Sequence, residues 1–271
     1  YATSGDTIWI DAGVYDSYVT VNVTETAGVN IDKDTITLIG KDSGATVIRP
    51  TGDSSVNGLY GIYADTQTGL AIKNLGVRNA YHGIYFVNVD SALISGDSCA
   101  YNGGNGMYLI NGCDTIRIAD GFFRHNLLAG VDYRTGAQSA ILNNSADSNQ
   151  NLSISNAYGI YLAGIANSTV SGNSLTGNSG GSLNTGIGIS LSSCTGNTVS
   201  SNTARANQSG AGQGYGIYVS GNSTNNTFSG NTASGNMTTG IYTTGSSSNT
   251  FSANTANSNS SHGINLATNS K

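Results

Sequence analysis

The sequence predicts an all-β fold, a right-handed parallel β-helix in which about ten coils of three short strands stack into a solenoid. Three observations predict it. A glycine followed by an apolar residue recurs every 22 to 29 residues, further apolar positions recur at fixed offsets, and two asparagine columns keep a constant offset of five residues. Short segments with one inward apolar position suit strands, whereas Gly, Asn, Ser and Thr are poor helix formers.

Each repeat opens with a glycine and then an apolar residue. The apolar residues predict one continuous buried column, formed by Ile62, Ile84, Met107, Val131, Ile160, Ile189, Ile217, Ile241 and Ile264. A second apolar position follows about ten residues later and a third lies five residues beyond it, as in Phe228 and Ala233. Three inward positions per period predict three strands per coil.

The asparagine columns predict ladders of side-chain amides that hydrogen-bond from coil to coil and fix the register. The first column is Asp97, Gly121, Asn144, Asn173, Asn202, Asn231 and Asn254. The second column is Asn102, Asn126, Asn149, Asn178, Asn207, Asn236 and Asn259. Gly121 has no side chain, so we expect an irregular coil there.

We expect a single domain over residues 1–271, with irregular opening coils in 1–57 and regular repeats in 58–271. Three consecutive repeats carry insertions, at 150–158, 179–187 and 208–215. Because they follow the same ladder position, they predict stacked loops along one edge of the solenoid. Their low charge suggests a lateral contact or a glycan surface.

Composition excludes several classes of function. Only 9% of residues are charged and the net charge is -5, so no basic surface is predicted for nucleic acid. No apolar run approaches the ~20 residues of a membrane span. Cys99, Cys113 and Cys194 are odd in number and lack metal-ligand spacing, so we expect no disulfide framework, no metal and no cofactor. Cys99 occupies an inward position, whereas Cys113 and Cys194 fall in distant turns.

Asn-X-Ser/Thr sequons suggest a glycoprotein at the cell surface or outside the cell. They occur at Asn22, Asn143, Asn151, Asn167, Asn207, Asn222, Asn225, Asn236 and Asn259. The sequence given starts at Tyr1 rather than Met, which we interpret as a processed or trimmed product.

Two sets of segments resemble known proteins. Residues 4–15, 36–40 and 45–48 resemble the first coils of pectate-lyase-like β-helix proteins. Later repeats such as 225–233 resemble the degenerate parallel β-helix repeats in surface proteins of methanogenic archaea and some bacteria. The resemblance implies the fold over essentially the whole chain. It transfers no catalytic residue, because that fold hosts lyases, hydrolases, esterases, epimerases, adhesins and structural proteins.

Charge is concentrated in the first half of the chain. Every Asp and Glu lies at or before Asp147, so residues 148–271 are predicted to be catalytically inert. Seven charged residues fall in two adjacent coils and are weak catalytic candidates: Asp114, Arg117, Asp120, Arg124, His125, Asp132 and Arg134. They could form a polysaccharide-cleaving or sugar-binding site. The favoured alternative is a set of solvated surface charges in weak ion pairs, because such clusters are common on protein surfaces.

Tyrosine follows the inward residue in most repeats. Tyr63, Tyr85, Tyr108, Tyr161, Tyr218 and Tyr242 are therefore predicted to point outward in one column, which Asp132 and Ser190 interrupt. Such a stripe could bind sugar rings or a neighbouring subunit. It could also serve only local strand stability.

These observations favour a structural, non-enzymatic function, in which copies of the chain assemble into a cell-surface sheath, surface layer or filament. The segments before Ile8 and after Leu266 leave little length for a capping element, so both ends are expected to be open. Open strand edges invite pairing with a second copy, and head-to-tail contacts that do not close produce fibres or tubes. The alternative is a carbohydrate-binding or polysaccharide-cleaving module.

Overall fold

A computed structural model describes residues 2–151, 155–210, 212–267 and 270. Its strands are mostly three to seven residues long, and in chain order they are β1 (Thr7–Ile10), β2 (Gly13–Tyr15), β3 (Val19–Thr20), β4 (Thr26–Ile31), β5 (Thr37–Gly40), β6 (Thr46–Ile48), β7 (Leu59–Asp65), β8 (Ala71–Lys73), β9 (Gly76–Arg78), β10 (His82–Val87), β11 (Leu93–Ser95), β12 (Ser98–Ala100), β13 (Met107–Ile110), β14 (Arg117–Ala119), β15 (Phe122–Arg124), β16 (Ala129–Ala137), β17 (Ala140–Leu142), β18 (Gln150–Asn151), β19 (Ala157–Ala166), β20 (Thr169–Ser171), β21 (Ser174–Thr176), β22 (Ser179–Gly180), β23 (Gly186–Ser192), β24 (Thr198–Ser200), β25 (Thr203–Arg205), β26 (Gln208–Ser209), β27 (Gly214–Ser220), β28 (Thr227–Ser229), β29 (Thr232–Ser234), β30 (Thr239–Thr243), β31 (Thr250–Ser252) and β32 (His262–Leu266). Within the described ranges, no helix is long and apolar enough to cross a membrane.

The strands form the three faces of a parallel β-helix. The long sheet has 11 strands, in the order β3-β4-β7-β10-β13-β16-β19-β23-β27-β30-β32. A ten-stranded sheet, β1-β5-β8-β11-β14-β17-β20-β24-β28-β31, forms the second face. The third face consists of β15-β12-β9-β6-β2 and β21-β25-β29, joined by single bridges through Ser145. This arrangement confirms the predicted fold class.

Tight turns connect the second face to the third. The residue before each ladder position adopts a left-handed conformation, as in Asn143 (φ 55°) and Gly172 (φ 70°). Glycine and asparagine tolerate this region better than other residues, which explains their frequency in the repeat. The turn bends the chain from one face to the next within two residues, and the ladder side chain is buried.

The interior is one hydrophobic core, in which the inward apolar residues of successive coils stack in columns. The predicted inward residues from Ile62 to Ile241 are fully buried, and Phe228 and Phe251 stack with ring centroids 4.8 Å apart. Ile264 in β32 is the exception, since it is 45% exposed. The core prediction is therefore confirmed for every coil except that of β32.

Both asparagine ladders are present. In the second ladder, Asn149 Nδ2 donates to Asn178 Oδ1 at 3.0 Å and to the Phe123 carbonyl at 3.0 Å. Gly121 interrupts the first ladder as expected, but its N–H still donates to Asn144 Oδ1 at 2.9 Å. These bonds satisfy the buried amides only when the asparagines of adjacent coils are aligned. A shift in register would leave the amides unpaired, so each ladder fixes the register of the coils.

A third ladder was not predicted. It lies in the turn between the long sheet and the ten-stranded sheet and contains Ser139, Ser168, Asn197, Asn226 and Asn249. Asn197 Nδ2 donates to Asn226 Oδ1 at 2.9 Å, as in the other two ladders. The pattern escapes detection because serine occupies its first two positions.

The repeat glycines are explained by close backbone contact. A Cβ on Gly188 would lie 2.6 Å from the Gly216 carbonyl oxygen and 2.8 Å from the Ala204 side chain. The same clash with the next coil's glycine carbonyl recurs at Gly61 and Gly130. Glycine is therefore required at this position because no other residue leaves space for the stacked coil.

The first edge of the long sheet carries a short added strand over the start of β4, whereas β1, the strand at Ile8, is the edge strand of the ten-stranded sheet. The antiparallel strand β3 pairs with β4 through Val19 with Ala27 and Thr20 with Thr26. A strand that covers an edge in this way removes its free main-chain donors and acceptors from pairing with another copy. Tyr1 itself lies outside the described residues.

The three insertions stack as predicted. Their first residues form a small sheet, β18-β22-β26, in which Gln150, Ser179 and Gln208 are in register. Their last residues extend the strands β19, β23 and β27 of the long sheet. Residues 152–154 and 211 of these insertions lie outside the described residues.

Cys99, Cys113 and Cys194 are free and fully buried. Cys99 is an inward filler as predicted, but the two turn cysteines also point into the core, where Cys113 Sγ contacts the Phe86 carbonyl. Burial raises the pKa of all three thiols. They are therefore packing residues of low reactivity.

Four predicted glycosylation sites are wrong. Asn151, Asn207 and Asn236 are buried, and the amide of Asn259 is held in the second ladder by Asn236 and the Ala233 carbonyl. A glycan cannot be attached to an amide inside the solenoid. The other five sequon asparagines are exposed, and glycosylation remains a prediction there: Asn22, Asn143, Asn167, Asn222 and Asn225.

Candidate functional site

The outer face of the long sheet carries aligned polar and aromatic columns. In the main column the strand register places the predicted tyrosines in line with the two interrupting residues, in the order Tyr63, Tyr85, Tyr108, Asp132, Tyr161, Ser190, Tyr218 and Tyr242. We call this the tyrosine column. Parallel pairing without bulges at these positions is what keeps residues of successive coils at one height on the face.

The tyrosine column is a stack of half-buried rings. Tyr85 and Tyr108 stack with centroids 5.3 Å apart and an interplanar angle of 11°, and Tyr218 and Tyr242 stack at 5.5 Å and 29°. Tyr63 is the least accessible tyrosine of the column, at 8% exposure, because it packs with Tyr60. It is therefore a poor candidate for contact with a ligand.

A second aromatic column lies beside the first and was not predicted. Tyr60, Tyr158 and Tyr215 immediately precede the repeat glycine, and the register continues this position through His82 and Ile187. Tyr158 stacks on Tyr161 at 4.7 Å and Tyr215 lies 5.3 Å from Tyr218. The recurring Tyr-Gly-Ile-Tyr sequence was the available signal.

Asp132 and Arg134 fill the first interruption as an ion pair. Arg134 Nε and Nη2 donate to the two Asp132 oxygens, each at 2.9 Å. The guanidinium lies 5.4 Å from the centres of both Tyr108 and Tyr161 and thus takes the place of the missing ring. Burial raises the pKa of the Asp132 carboxyl, and the hydrogen bonds from Arg134 oppose that rise.

Neutral polar groups surround this pair. Asn105 Nδ2 donates to Asp132 Oδ2 at 3.4 Å, and the Asn105 N–H donates to His82 Nδ1 at 3.2 Å. Burial, with the nearby charge of Arg134, lowers the pKa of His82 to about 3, so the imidazole is neutral at physiological pH. With Nδ1 accepting, the ring carries its proton on Nε2.

The other members of the predicted charged cluster are not part of this site. Arg117 lies on the ten-stranded sheet and Arg124 on the third face, where it contacts the Phe122 ring at 5.2 Å. His125 stacks on Tyr101 at 4.9 Å. Asp114 and Asp120 are exposed turn residues. The expectation of one seven-residue cluster is wrong, because a coil places neighbouring residues on different faces.

A cavity of about 270 Å³ lies at the second interruption, over Ser190. Ser190 and Ile187 form its floor and are 3% and 2% exposed. One wall consists of Tyr158 and Tyr161 and the opposite wall of Tyr215 and Tyr218, with the remaining rim supplied by the insertions through Asn156, Thr185 and Gln213. We call this cavity the serine slot. None of its lining residues carries a charge.

A second cavity of about 200 Å³ lies over the ion pair and shares Asn156, Tyr158 and Tyr161 with the serine slot. The site therefore has two compartments, one charged and one neutral, separated by a tyrosine wall. Among the described residues, no three His, Cys, Asp or Glu side chains are grouped so that they could hold a metal ion. The available chemistry is ring stacking, hydrogen bonding and one arginine-carboxylate pair.

The family model described as the right handed beta helix region matches residues 60–256, which is most of the chain. The chain belongs to the right-handed β-helix family. The match includes every strand that lines the two compartments, from β10 to β27. No curated protein matches the chain significantly.

Solved β-helix structures share the fold at low sequence identity. The A-module of the Azotobacter vinelandii mannuronan C-5 epimerase AlgE4 superposes with a TM-score of 0.59 at 13% identity, over 96% of this chain and 91% of that chain. Pectate lyase Pel9A gives 0.55 at 17% identity, over 92% of this chain and 62% of that chain. The periplasmic alginate epimerase AlgG gives 0.55 at 14%, over 93% and 71%. At such identities the likeness establishes the fold alone.

Proposed function

We propose that this β-helix is a polysaccharide-binding module, and that the glycan lies on the outer face of the long sheet. The observation that carries the proposal is the half-buried tyrosine column with two polar compartments set into it. Aromatic rings pack on the apolar faces of sugar rings, and a small number of polar groups then orient the hydroxyls. A tyrosine face with built cavities fits this chemistry better than a surface that serves only strand stability.

The charged compartment supplies directional contacts. The ion pair occupies Nε and Nη2 of Arg134, and the half-exposed guanidinium has further donors on Nη1 for a sugar hydroxyl or carboxylate. Because Asp132 fixes the guanidinium from below, little side-chain entropy is lost when a ligand binds. Arg134 therefore suits the role of an anchor within the aromatic face.

The structural neighbours support this function over the sheath or surface-layer function that the composition favours. Those neighbours are an alginate epimerase module, a pectate lyase and a periplasmic alginate epimerase, all named for action on polysaccharides. On the same basis we propose a location outside the cytoplasm. Self-assembly into fibres remains a prediction without support from the fold.

Binding is tested by titrating the purified chain against a panel of neutral and acidic polysaccharides. Tyr161→Ala should weaken binding about tenfold, since an aromatic pair contributes ~0.5–1.5 kcal/mol and Tyr161 borders both compartments. Phe122→Ala is the matched control, because Phe122 is an exposed aromatic on the third face. The proposal would be contradicted if the wild type bound none of the polysaccharides, or if Tyr161→Ala and Phe122→Ala lost the same amount of affinity.

A second candidate function is cleavage or epimerisation of the bound glycan. It is favoured by one observation: Asp132 is a buried carboxyl of raised pKa that lines a cavity with Tyr158 and Tyr161, and Asn105 links it to the neutral His82. Cleavage is tested by release of reducing ends or of unsaturated sugar from each bound polysaccharide, and epimerisation by a change in its sugar composition, measured by NMR. Asp132→Asn should abolish turnover, whereas His125→Ala, on another face, should not. Equal turnover by wild type and Asp132→Asn would reject catalysis at this pair.

A further inference from the structure

We propose that the serine slot is a subsite for one neutral pyranose ring whose hydroxyls are all equatorial, as in β-linked glucose or xylose. The inference rests on the proposed function and specifies its ligand. It begins from the register of the tyrosine column, in which Tyr161, Ser190 and Tyr218 stand at one height on successive coils. The second column shows the same gap, because Ile187 separates Tyr158 from Tyr215.

The gap has the thickness of one sugar ring. Coils are ~4.8 Å apart, so two steps separate the backbones that carry Tyr161 and Tyr218 by about 9.6 Å. Carbon atoms in contact lie ~3.5–4 Å apart, so a ring held between two aromatic walls needs ~7–8 Å. The cavity volume of about 270 Å³ lies just below the ~300 Å³ at which sites for larger small molecules begin. One ring fits, and a second layer does not.

The walls select a ring that is apolar on both faces. The strand register places one tyrosine pair a coil before Ser190 and one a coil after it, so each face of the sugar meets aromatic carbon, although Tyr215 and Tyr218 are tilted by 50° and only one of them can lie parallel to the ring. A pyranose with equatorial hydroxyls presents only C–H groups above and below its plane. Mannose and galactose each carry an axial hydroxyl, which would be buried against a tyrosine ring without a hydrogen-bond partner, at a cost in affinity.

The edge of the slot provides the matching polar contacts. Ser190, Ser192 and Ser220 lie on the sheet side, and Thr185 and Gln213 lie on the insertion side. Thr185 Oγ1 already contacts Gln213 Oε1 at 3.0 Å, which orders this rim. Hydroxyls and amides suit the ring's edge oxygens, and a sugar carboxylate would find no positive partner among the residues that line the slot.

The test fills the slot. Ser190→Tyr restores the missing ring, and its matched control Ser229→Tyr places the same residue on the outer face of the ten-stranded sheet. Affinities for cellopentaose, mannopentaose and an acidic oligogalacturonate are measured by calorimetry. We expect the wild type and Ser229→Tyr to prefer cellopentaose about tenfold or more over mannopentaose, and oligogalacturonate binding, if any, to be the same in Ser190→Tyr. Ser190→Tyr should lose that preference together with most of its cellopentaose affinity.

A second variant keeps the test decisive. If Ser190→Tyr unfolds, Tyr218→Ala removes one wall instead and should lower cellopentaose affinity about tenfold. Unchanged cellopentaose binding in these variants, a wild-type preference for mannopentaose, or oligogalacturonate binding that Ser190→Tyr abolishes would overturn the subsite while leaving polysaccharide binding intact. A wild type that binds none of the oligosaccharides and no polysaccharide of the panel would reject both proposals.

Discussion

Asp97 is a carboxyl at an asparagine position of the first ladder, and its replacement is a sharp test of the fold's energetics. The side chain is fully buried, and its Oδ1 and Oδ2 accept from Leu75 N at 2.7 Å and Ser95 N at 3.1 Å. Burial raises its pKa from 3.8 to about 7, and the two backbone hydrogen bonds only partly oppose this rise. Its protonation is therefore linked to folding.

The direction of the pH effect on stability follows from the pKa of Asp97 in the folded and unfolded states. The folded carboxyl has the higher pKa, so the folded state binds more protons between pH ~4 and ~7, and stability falls as the pH rises through that window. A pKa that is higher by about three in the folded state corresponds to about 4 kcal/mol, at ~1.4 kcal/mol for each pH unit. Below the unfolded pKa the penalty is absent, and above pH ~7 it is complete.

Asp97→Asn removes the titrating group and keeps the ladder shape. Asn144 shows the expected contacts, with Oδ1 accepting from Gly121 N and Nδ2 donating to the Ile118 carbonyl. The Nδ2 that replaces Oδ2 cannot accept from Ser95 N, which costs ~1 kcal/mol at every pH, so the stability of the variant relative to wild type should rise by up to ~4 kcal/mol from pH 4 to pH 8. Urea unfolding across this range measures the difference. Parallel stability curves for wild type and variant would refute the reasoning, and Asp120→Asn, an exposed turn residue, is the control.

The remaining predictions concern stacking, ladder and ion pair. Gly188→Ala should destabilise the fold by ~1–3 kcal/mol, because the new methyl meets the Gly216 carbonyl at 2.6 Å, and the shift in denaturant midpoint measures it. Asn178→Ala leaves ladder donors and acceptors unpaired in the core and should cost at least ~1–3 kcal/mol in the same assay. Arg134→Ala strands the buried Asp132 carboxylate and should cost ~3–5 kcal/mol at neutral pH.

Each of these changes has a control within the chain. Gly13→Ala should be close to neutral, since a Cβ there has no atom nearer than 3.8 Å. Asn257→Ala removes an exposed asparagine outside the ladders and should change little. Adding Asp132→Asn to Arg134→Ala removes the stranded charge and should recover part of the loss. If a variant and its control changed the stability by the same amount, the physical reason given for that variant would be wrong.

The repeat made the fold predictable, because residues one period apart in the chain become neighbours in the solenoid. Each of the three repeated residue types makes the same contact with the next coil in every repeat. Glycine, the inward apolar residue and asparagine therefore recur at fixed positions of the repeat. The third ladder was missed since Ser139 and Ser168 can replace asparagine when only the oxygen acceptor is needed. A column of mixed residue types has no signature in composition.

The candidate site was only partly predictable for a geometric reason. Seven charged residues were grouped in the prediction because they are close along the chain. In the coil they are distributed over different faces and turns, and only Asp132 and Arg134 lie on the same face. These two are spaced by one residue on a strand, which places their side chains on the same side of the sheet. The buried neutral state of His82 depends on Asn105 and Arg134 from later coils, which pattern alone does not reveal.

On the proposed function, the interruptions of the tyrosine column, rather than the column itself, are where a sugar would be held. A complete stack of rings is a flat aromatic surface, and it offers contact without selecting a sugar. Replacing one ring with an ion pair introduces a fixed set of donors, and replacing another with serine opens a cavity of ring thickness. The insertions occur in the three coils that form the slot and its walls, where they add a polar rim. Because coil stability depends mainly on the inward columns, such outward changes alter recognition at small cost to the fold.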